Sequence, residues 1–439
     1  MQLGLRDLTA RLEKIQSIRQ WGKVVQVVGD LVEADAPSAS LGAFAQIGST
    51  VCEVVGFREN RALLMPLDSI RDIRMGDRVE FTKGLASIPV GEKLLGRVID
   101  PLGRAMDEKL IPPGLHTRPL KGPAPNPMRR SLISEALYTG VRVVDSMLTL
   151  GKGQRIAIMA GSGVGKSTLM GMLARSSAAD VNIIALVGER GREVQEFLHN
   201  DLREGLKKSI VVVSTSNVSP ALQIKGVEAA MSLAEYFRDK GKDVLVLIDS
   251  ITRLAMAQRQ IGLSAGEPPT SKGYPPSVFT MLPRLLERGG PGEGRGTITS
   301  VNTVLVEGDD IHDPIGDTVR SIVDGHVVLS RRLVSHGHYP PVDILESLSR
   351  TMPSTVSGEH LKAAQTLRKI ISVYEENEEL IRLGAYKKGA DKEVDIAIDM
   401  KPKMDKFLKQ DREDFTPFQD SSKILLSLAR EIQQREKAT

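Results

Sequence analysis

One nine-residue stretch constrains this chain more than any other: Ala160-Gly161-Ser162-Gly163-Val164-Gly165-Lys166-Ser167-Thr168. Positions 160–167 fit the phosphate-loop pattern G-x-x-x-x-G-K-[ST], with Ala160 in place of the first glycine. The flanks are what the pattern requires. Gln154–Met159 reads as a strand, and Thr168–Ala174 reads as the start of a helix. Gly161, Gly163 and Gly165 let the backbone turn its N–H groups inward around phosphate oxygens, and the helix N-terminus adds partial positive charge. Lys166 is expected to reach the β- and γ-phosphates of a nucleoside triphosphate, and the Ser167 hydroxyl to ligate Mg2+. Ser162, Val164 and Thr168 complete the expected cradle. Alanine at position 160 is a mild departure provided that it keeps an ordinary φ.

Transfer of a phosphoryl group needs more than a cradle. Val244–Ile248 followed by Asp249 is an apolar strand ending in a carboxylate, about eighty residues after the loop, and Asp249 is therefore expected on the Mg2+ side. Val187-Gly188-Glu189-Arg190-Gly191-Arg192-Glu193 ends another strand, and Glu189 there could polarise an attacking water. A charge run of this kind is more often a solvated face. Its place after a strand and a glycine raises Glu189 above that reading.

The 439 residues leave room for two or three domains. Leu5, Leu8, Leu12 and Ile15 fall at helical spacing, so residues 1–20 are expected to hold an amphipathic helix that either packs on the protein or docks a partner. Residues 21–90 carry short β-rich runs (Val24–Val28, Leu31–Ala34, Val51–Val55, Ala62–Met65, Asp77–Phe81) broken by turn residues, which predicts five or six strands of a small barrel or sandwich. Residues 91–349 are expected to form an α/β domain with a mostly parallel sheet, entered through a connector at 112–127 that carries six prolines. Its strands are expected at 154–159, 181–187, 209–214, 243–248 and 297–306. From 350 to 439 the β signal vanishes and apolar residues recur at helical spacing, among them Leu361, Ala364, Leu367, Ile371 and Tyr374.

Composition excludes some classes. No apolar run exceeds strand length, and the N-terminus lacks the build of a signal peptide. Cys52 is the single cysteine, which precludes an intramolecular disulfide and fits a reducing cytosol. A net charge of +4 with 4% aromatic residues argues against a nucleic-acid partner. His336 and His338 have metal-ligand spacing, but no cysteine or acidic cluster accompanies them, and they read as loop residues.

The phosphate loop, Gly188–Val194 and Leu247–Arg253 together resemble the type III export ATPases, the flagellar and injectisome secretion enzymes related to the catalytic subunit of F-type ATP synthase. Residues 95–104, 266–279, 282–288, 313–326 and 339–350 carry further matches, so the resemblance covers nearly the whole chain. It implies an N-terminal β-barrel, a RecA-like P-loop α/β core and a C-terminal helical bundle. ATP would bind between subunits of a homo-hexamer, with Mg2+. Glu189 would be the catalytic carboxylate, Arg350 an arginine finger donated to the neighbouring subunit, and Tyr339 the adenine-stacking ring, with Phe407 either closing the same pocket or packing in the core. Hydrolysis would release chaperones from export cargo, on a cytosolic enzyme held peripherally at an inner-membrane export gate. A stator-like regulatory protein would bind the N-terminal helix. The flagellar form is preferred over the injectisome form. Asn217-Val218-Ser219-Pro220 departs from the family, which has an acidic residue, prolines and an arginine there, so no arginine role carries over. A rotary ATP synthase subunit and an RNA-translocating hexameric helicase share the core and stay open at this point.

Overall fold

The computed structural model describes residues 21–36, 39–67, 72–306 and 313–437. The amphipathic helix expected within 1–20 lies outside them.

Six strands close an N-terminal barrel: β1 (Trp21–Val28), β2 (Leu31–Asp35), β3 (Ala43–Ile47), β4 (Thr50–Arg58), β5 (Arg61–Pro66) and β6 (Arg78–Leu85), in the order β1-β2-β5-β4-β3-β6. Small and β-branched side chains fill it, with Val24, Val32, Ala34, Ala45, Val54 and Leu64 all buried in one cluster. Five of these strands match the runs read from the sequence. The sixth, β3, pairs with both β4 and β6 and makes closure complete.

From the barrel, β7 (Ser87–Val90) runs on to pair with β9 (His116–Pro119), a strand inside the proline-rich connector, while β8 (Arg97–Ile99) between them joins the edge of the central sheet. Pro119 ends its ladder, where a missing N–H costs least. A two-residue pair, β10 (Ala136–Leu137) with β11 (Leu150–Gly151), precedes the sheet proper.

That sheet contains β12 (Arg155–Ala160), β13 (Val181–Val187), β14 (Ser209–Ser214), β15 (Asp243–Asp249), β16 (Gly290–Pro291), β17 (Thr297–Leu305), β18 (Gly325–Leu329) and β19 (Val342–Ser349). Their order is β19-β18-β12-β17-β15-β13-β14-β8, with β16 beside β17. Every ladder along this path is parallel except β18–β19. Helices cover both faces, so β13 and β14 are buried along their whole length and read as continuous apolar runs rather than alternating ones.

Three long helices, Gly358–Arg382, Lys392–Leu408 and Phe418–Lys437, form the C-terminal bundle. Phe418 seats the last one: its ring stacks on Tyr138 at 4.2 Å between centroids and on His360 at 5.5 Å.

The segment that departs from the family pattern has its own work here. Ser219 caps the helix Pro220–Asp239 by accepting from the Leu222 N–H, with Pro220 at the first helical position. One turn further on, the fully buried Lys225 donates to Glu53 of the barrel at 2.7 Å and to Glu228 at 2.6 Å. The barrel is thus fastened to the α/β domain by a buried charge cluster.

Candidate functional site

Parallel strands deliver their C-terminal ends to one edge of the sheet, and ligands of such sheets bind there. Three of those ends matter. The phosphate loop follows β12, Glu189 lies two residues beyond β13, and Asp249 ends β15. Ala160 is the last residue of β12, laddered to Leu305 and Leu329, so its methyl group sits on ordinary strand backbone. Gly163 (φ 77°) and Gly165 (φ 93°) take the left-handed conformation that carries the chain into the helix Lys166–Ser176. Gly188 is needed twice over: its φ is 68°, and a Cβ there would fall 2.8 Å from Arg253 Cβ.

These elements enclose a cavity of about 580 Å3, lined by the loop glycines, Ser162, Lys166, Ser167 and Thr168 and by Glu189, Glu193 and Asp249. Arg190, Arg253 and Arg331 also line it, so four cations face three carboxylates. That balance suits a polyanion that arrives with a divalent cation. Val164 stays buried beneath the loop and outside the lining.

The Lys166 ammonium lies between two acids. It donates to Asp249 Oδ1 and is 3.5 Å from Glu189 Oε1. Thr303 Oγ1 donates to the same Asp249 oxygen at 2.8 Å, fixing the carboxylate from the neighbouring strand. Glu189 Oε1 is buried and accepts no hydrogen bond among the described residues. Burial first, then the Asp249 charge and a hydrogen bond to Glu193, push the Glu189 carboxyl up to about 7 despite the opposing pull of Lys166. It is therefore half-charged near neutrality, where a group that takes or polarises a proton works best. Glu193, the acceptor in that bond, is shifted down.

For Mg2+ the donor set is one hydroxyl, Ser167, and one carboxylate, Asp249. This fits an ion that takes most of its octahedron from water and substrate phosphates rather than from a protein cage. No cluster of three or more His, Cys, Asp or Glu side chains suited to a metal occurs among the described residues. His338 is buried, with Nδ1 3.9 Å from Asp405 Oδ1.

The remaining expected residues stand elsewhere. Tyr339 is half-exposed outside the cavity lining, but its loop reaches the cradle: a Cβ at Gly165 would lie 4.0 Å from Pro341 Cδ. For Phe407 the sequence left two places open, base pocket or core, and the structure favours the core. Its ring is buried in the core beside Met404 and Leu408, the position its helical spacing favours, and only its backbone takes part nearby, accepting from Arg142 Nε at 2.8 Å. Arg350 follows β19 at the edge of the sheet away from the phosphate loop. It is exposed, and its guanidinium makes no hydrogen bond or ion pair among the described residues.

Two cavity arginines escaped the sequence reading. Arg253 is on the first turn after Asp249, and its Nε is buried without a hydrogen bond among the described residues. Arg331 starts the helix after β18, and its Nη2 is 3.5 Å from the Ser162 carbonyl. The signal for both was positional, since each follows the C-terminal end of a strand adjacent to β12 or β17. That is visible only once the strand order is known.

Comparison with known proteins adds three matches along the chain. Residues 24–83 match the beta-barrel domain of the ATP synthase alpha/beta family, residues 140–349 its nucleotide-binding domain, and residues 356–427 the T3SS EscN ATPase C-terminal domain. The flagellum-specific ATP synthase of Bacillus subtilis (strain 168) is 50% identical over 95% of this chain and 97% of its own length. That of Salmonella typhimurium (strain LT2) is 42% identical over 96% of both. Among solved structures, the assembled ATPase EscN of the enteropathogenic E. coli type III secretion system superimposes with a TM-score of 0.89 at 42% identity, covering 93% of this chain and 100% of that one. The same ATPase in complex with its central stalk EscO gives 0.86 at the same identity and coverage.

Proposed function

The chain belongs to the type III export ATPases, relatives of the F-type ATP synthase, and from that membership we propose how its site serves flagellar protein export. The observation that carries the proposal is the convergence of Lys166, Glu189 and Asp249 within one cavity at the C-terminal edge of β12, β13 and β15.

In this reading the phosphate loop N–H groups and Lys166 hold the β- and γ-phosphates of ATP, and Lys166 leaves its two carboxylates to do so. Ser167 and Asp249 hold Mg2+, which neutralises charge on the phosphate oxygens when bound. Glu189 orients a water for in-line attack on the γ-phosphorus and takes up its proton. The bond to the β,γ-bridging oxygen breaks, giving ADP and phosphate. Arg350 of a second copy supplies positive charge to the γ-phosphate, in a ring of six subunits. Tyr339 stacks on the adenine without help from the Phe407 ring.

Coupling follows the same logic. Residues 1–20 dock a stator-like regulator, the C-terminal bundle engages export chaperones and their cargo, and the ring works in the cytosol against a membrane-embedded gate. Likeness to an ATPase solved with a stalk protein supports a protein partner at the ring. No helix among the described residues is long and apolar enough to cross a membrane. The test is to measure MgATP hydrolysis by the purified chain and secretion of flagellar proteins by cells that carry Lys166→Ala in its place. Loss of both supports the reading; secretion at normal levels without hydrolysis contradicts it. Stimulation of hydrolysis by single-stranded RNA would point to the helicase reading.

A further inference from the structure

We propose that Gln410 is a positioning residue for the base end of the nucleotide site, fixing the Tyr339 loop through the start of the linker between the last two helices. The inference rests on the reading of Tyr339 as the adenine-stacking ring, and it names what holds that ring in place.

Gln410 is buried, and both of its amide N–H groups and its amide oxygen are bonded. Nε2 donates to the Gly140 carbonyl at 2.8 Å and to the Asp414 carbonyl at 3.0 Å, while Oε1 accepts from the Arg142 N–H at 2.7 Å. These are the two donors and one of the acceptor positions that a glutamine side chain offers. Its own backbone N–H donates to the Tyr339 carbonyl at 2.8 Å. One residue therefore joins three pieces: the Tyr339 loop, the linker at 414, and the entry to the helix Arg142–Met147.

Both ends of this junction are anchored. Arg142 pins the same stretch through Nε to the Phe407 carbonyl, Nη2 to the Lys409 carbonyl and Nη1 to Thr416 Oγ1. Gly140 and Thr139 are held by Asp145, a fully buried carboxylate that accepts the Gly140 N–H at 2.9 Å and both the N–H and hydroxyl of Thr139 at 2.8 Å. Tyr339 itself is half-exposed, and its side chain makes no hydrogen bond or ring contact among the described residues, so its place depends on its backbone. The neighbouring contact is weak by comparison. Burial lowers His338 to about 4, so it stays neutral near pH 7 beside Asp405 and forms no ion pair there. The Gln410 clasp is what ties the loop to the bundle.

A clasp at the base end affects recognition of the base and leaves the triphosphate cradle, on the other side of Pro341, as it was. The experiment is calorimetric binding of MgATP and of Mg2+ with inorganic tripolyphosphate to the full-length chain and its variants. Gln410→Leu is expected to weaken ATP binding about five- to tenfold, the scale of one or two lost hydrogen bonds, and to leave tripolyphosphate unchanged. Tyr339→Ala is expected to give the same pattern, and the double variant no further loss. Equal weakening of both ligands by Gln410→Leu, or no weakening of either, overturns the proposal. If Tyr339→Ala leaves ATP binding intact, the reading of Tyr339 fails, a result separate from failure of the clasp. Should Gln410→Leu not fold, Gln410→Glu decides alone: it keeps the Oε1 acceptor for the Arg142 N–H but loses both Nε2 donations, to the Gly140 and Asp414 carbonyls, and must show the same selective loss.

Discussion

Ala160 and Arg350 lie at opposite edges of one sheet. Ala160 pairs with Leu329 at one end of β18, whereas Ser349, the residue before Arg350, pairs with Gly325 at the other. Four strand residues separate those registers, about 13 Å at ~3.3 Å per residue, and the phosphate cradle lies beyond Ala160. Arg350 therefore lies at the far end of the sheet from the cavity of its own chain, and its reading as a finger requires a second copy.

Specific ATPase activity should accordingly rise with protein concentration and track oligomer formation by light scattering. Arg350→Ala should lose about a thousandfold in rate at every concentration while still binding ATP. Mixing it with Lys166→Ala should restore some turnover, because the second variant lends its arginine to the first variant's intact cradle. Full activity in a demonstrated monomer would exclude a finger supplied in trans.

The Glu189 carboxyl, raised to about 7, fixes the direction of the pH dependence. The charged form is the one that polarises water, so kcat/KM should climb through about pH 7 rather than through the ordinary glutamate range near 4.5. Stability runs the other way. Between about 4.5 and 7 the folded state keeps a proton that the unfolded chain has released, so this group makes stability fall as pH rises across that window. Glu189→Gln should flatten that part of a stability-against-pH curve measured by urea unfolding. An unchanged slope would show that the carboxyl titrates normally.

Lys225 should matter for stability and not for chemistry. It is fully buried between Glu53 and Glu228, and replacing it by Met leaves Glu228 without its cation and Glu53 with only the half-exposed Lys121 at 3.3 Å. Breaking such a cluster costs about 3–5 kcal/mol. Lys225→Met should therefore lower the urea midpoint of the barrel and α/β domain markedly, and adding Glu53→Gln and Glu228→Gln should recover part of the loss. A midpoint within error of the parent would mean that the barrel is held by its other contacts.

Much of the fold was legible because it is local. The runs 181–187 and 209–214 coincide with β13 and β14, since strands buried on both faces announce themselves as unbroken apolar stretches. The short β3 was not read as a strand, and it owes its place to barrel closure. Lys166, Glu189 and Asp249 could be picked out because each sits in a motif tied to a strand end. Arg331 and Gln410 could not, for their roles arise from contacts with Ser162 and Tyr339, 169 and 71 residues away respectively. Phe407 was left open between pocket and core by the sequence, and its burial among Met404 and Leu408 favours the core.

In the proposed mechanism Glu189 does chemistry rather than binding, and single-turnover hydrolysis by Glu189→Gln separates the two. The amide keeps the shape of the side chain and removes the charge. Hydrolysis of pre-bound ATP should fall by about two orders of magnitude or more, with the dissociation constant for ATP held within a few-fold of the parent. Hydrolysis at near-parental rate with ATP fully bound would contradict the account and place the catalytic carboxylate elsewhere in the cavity.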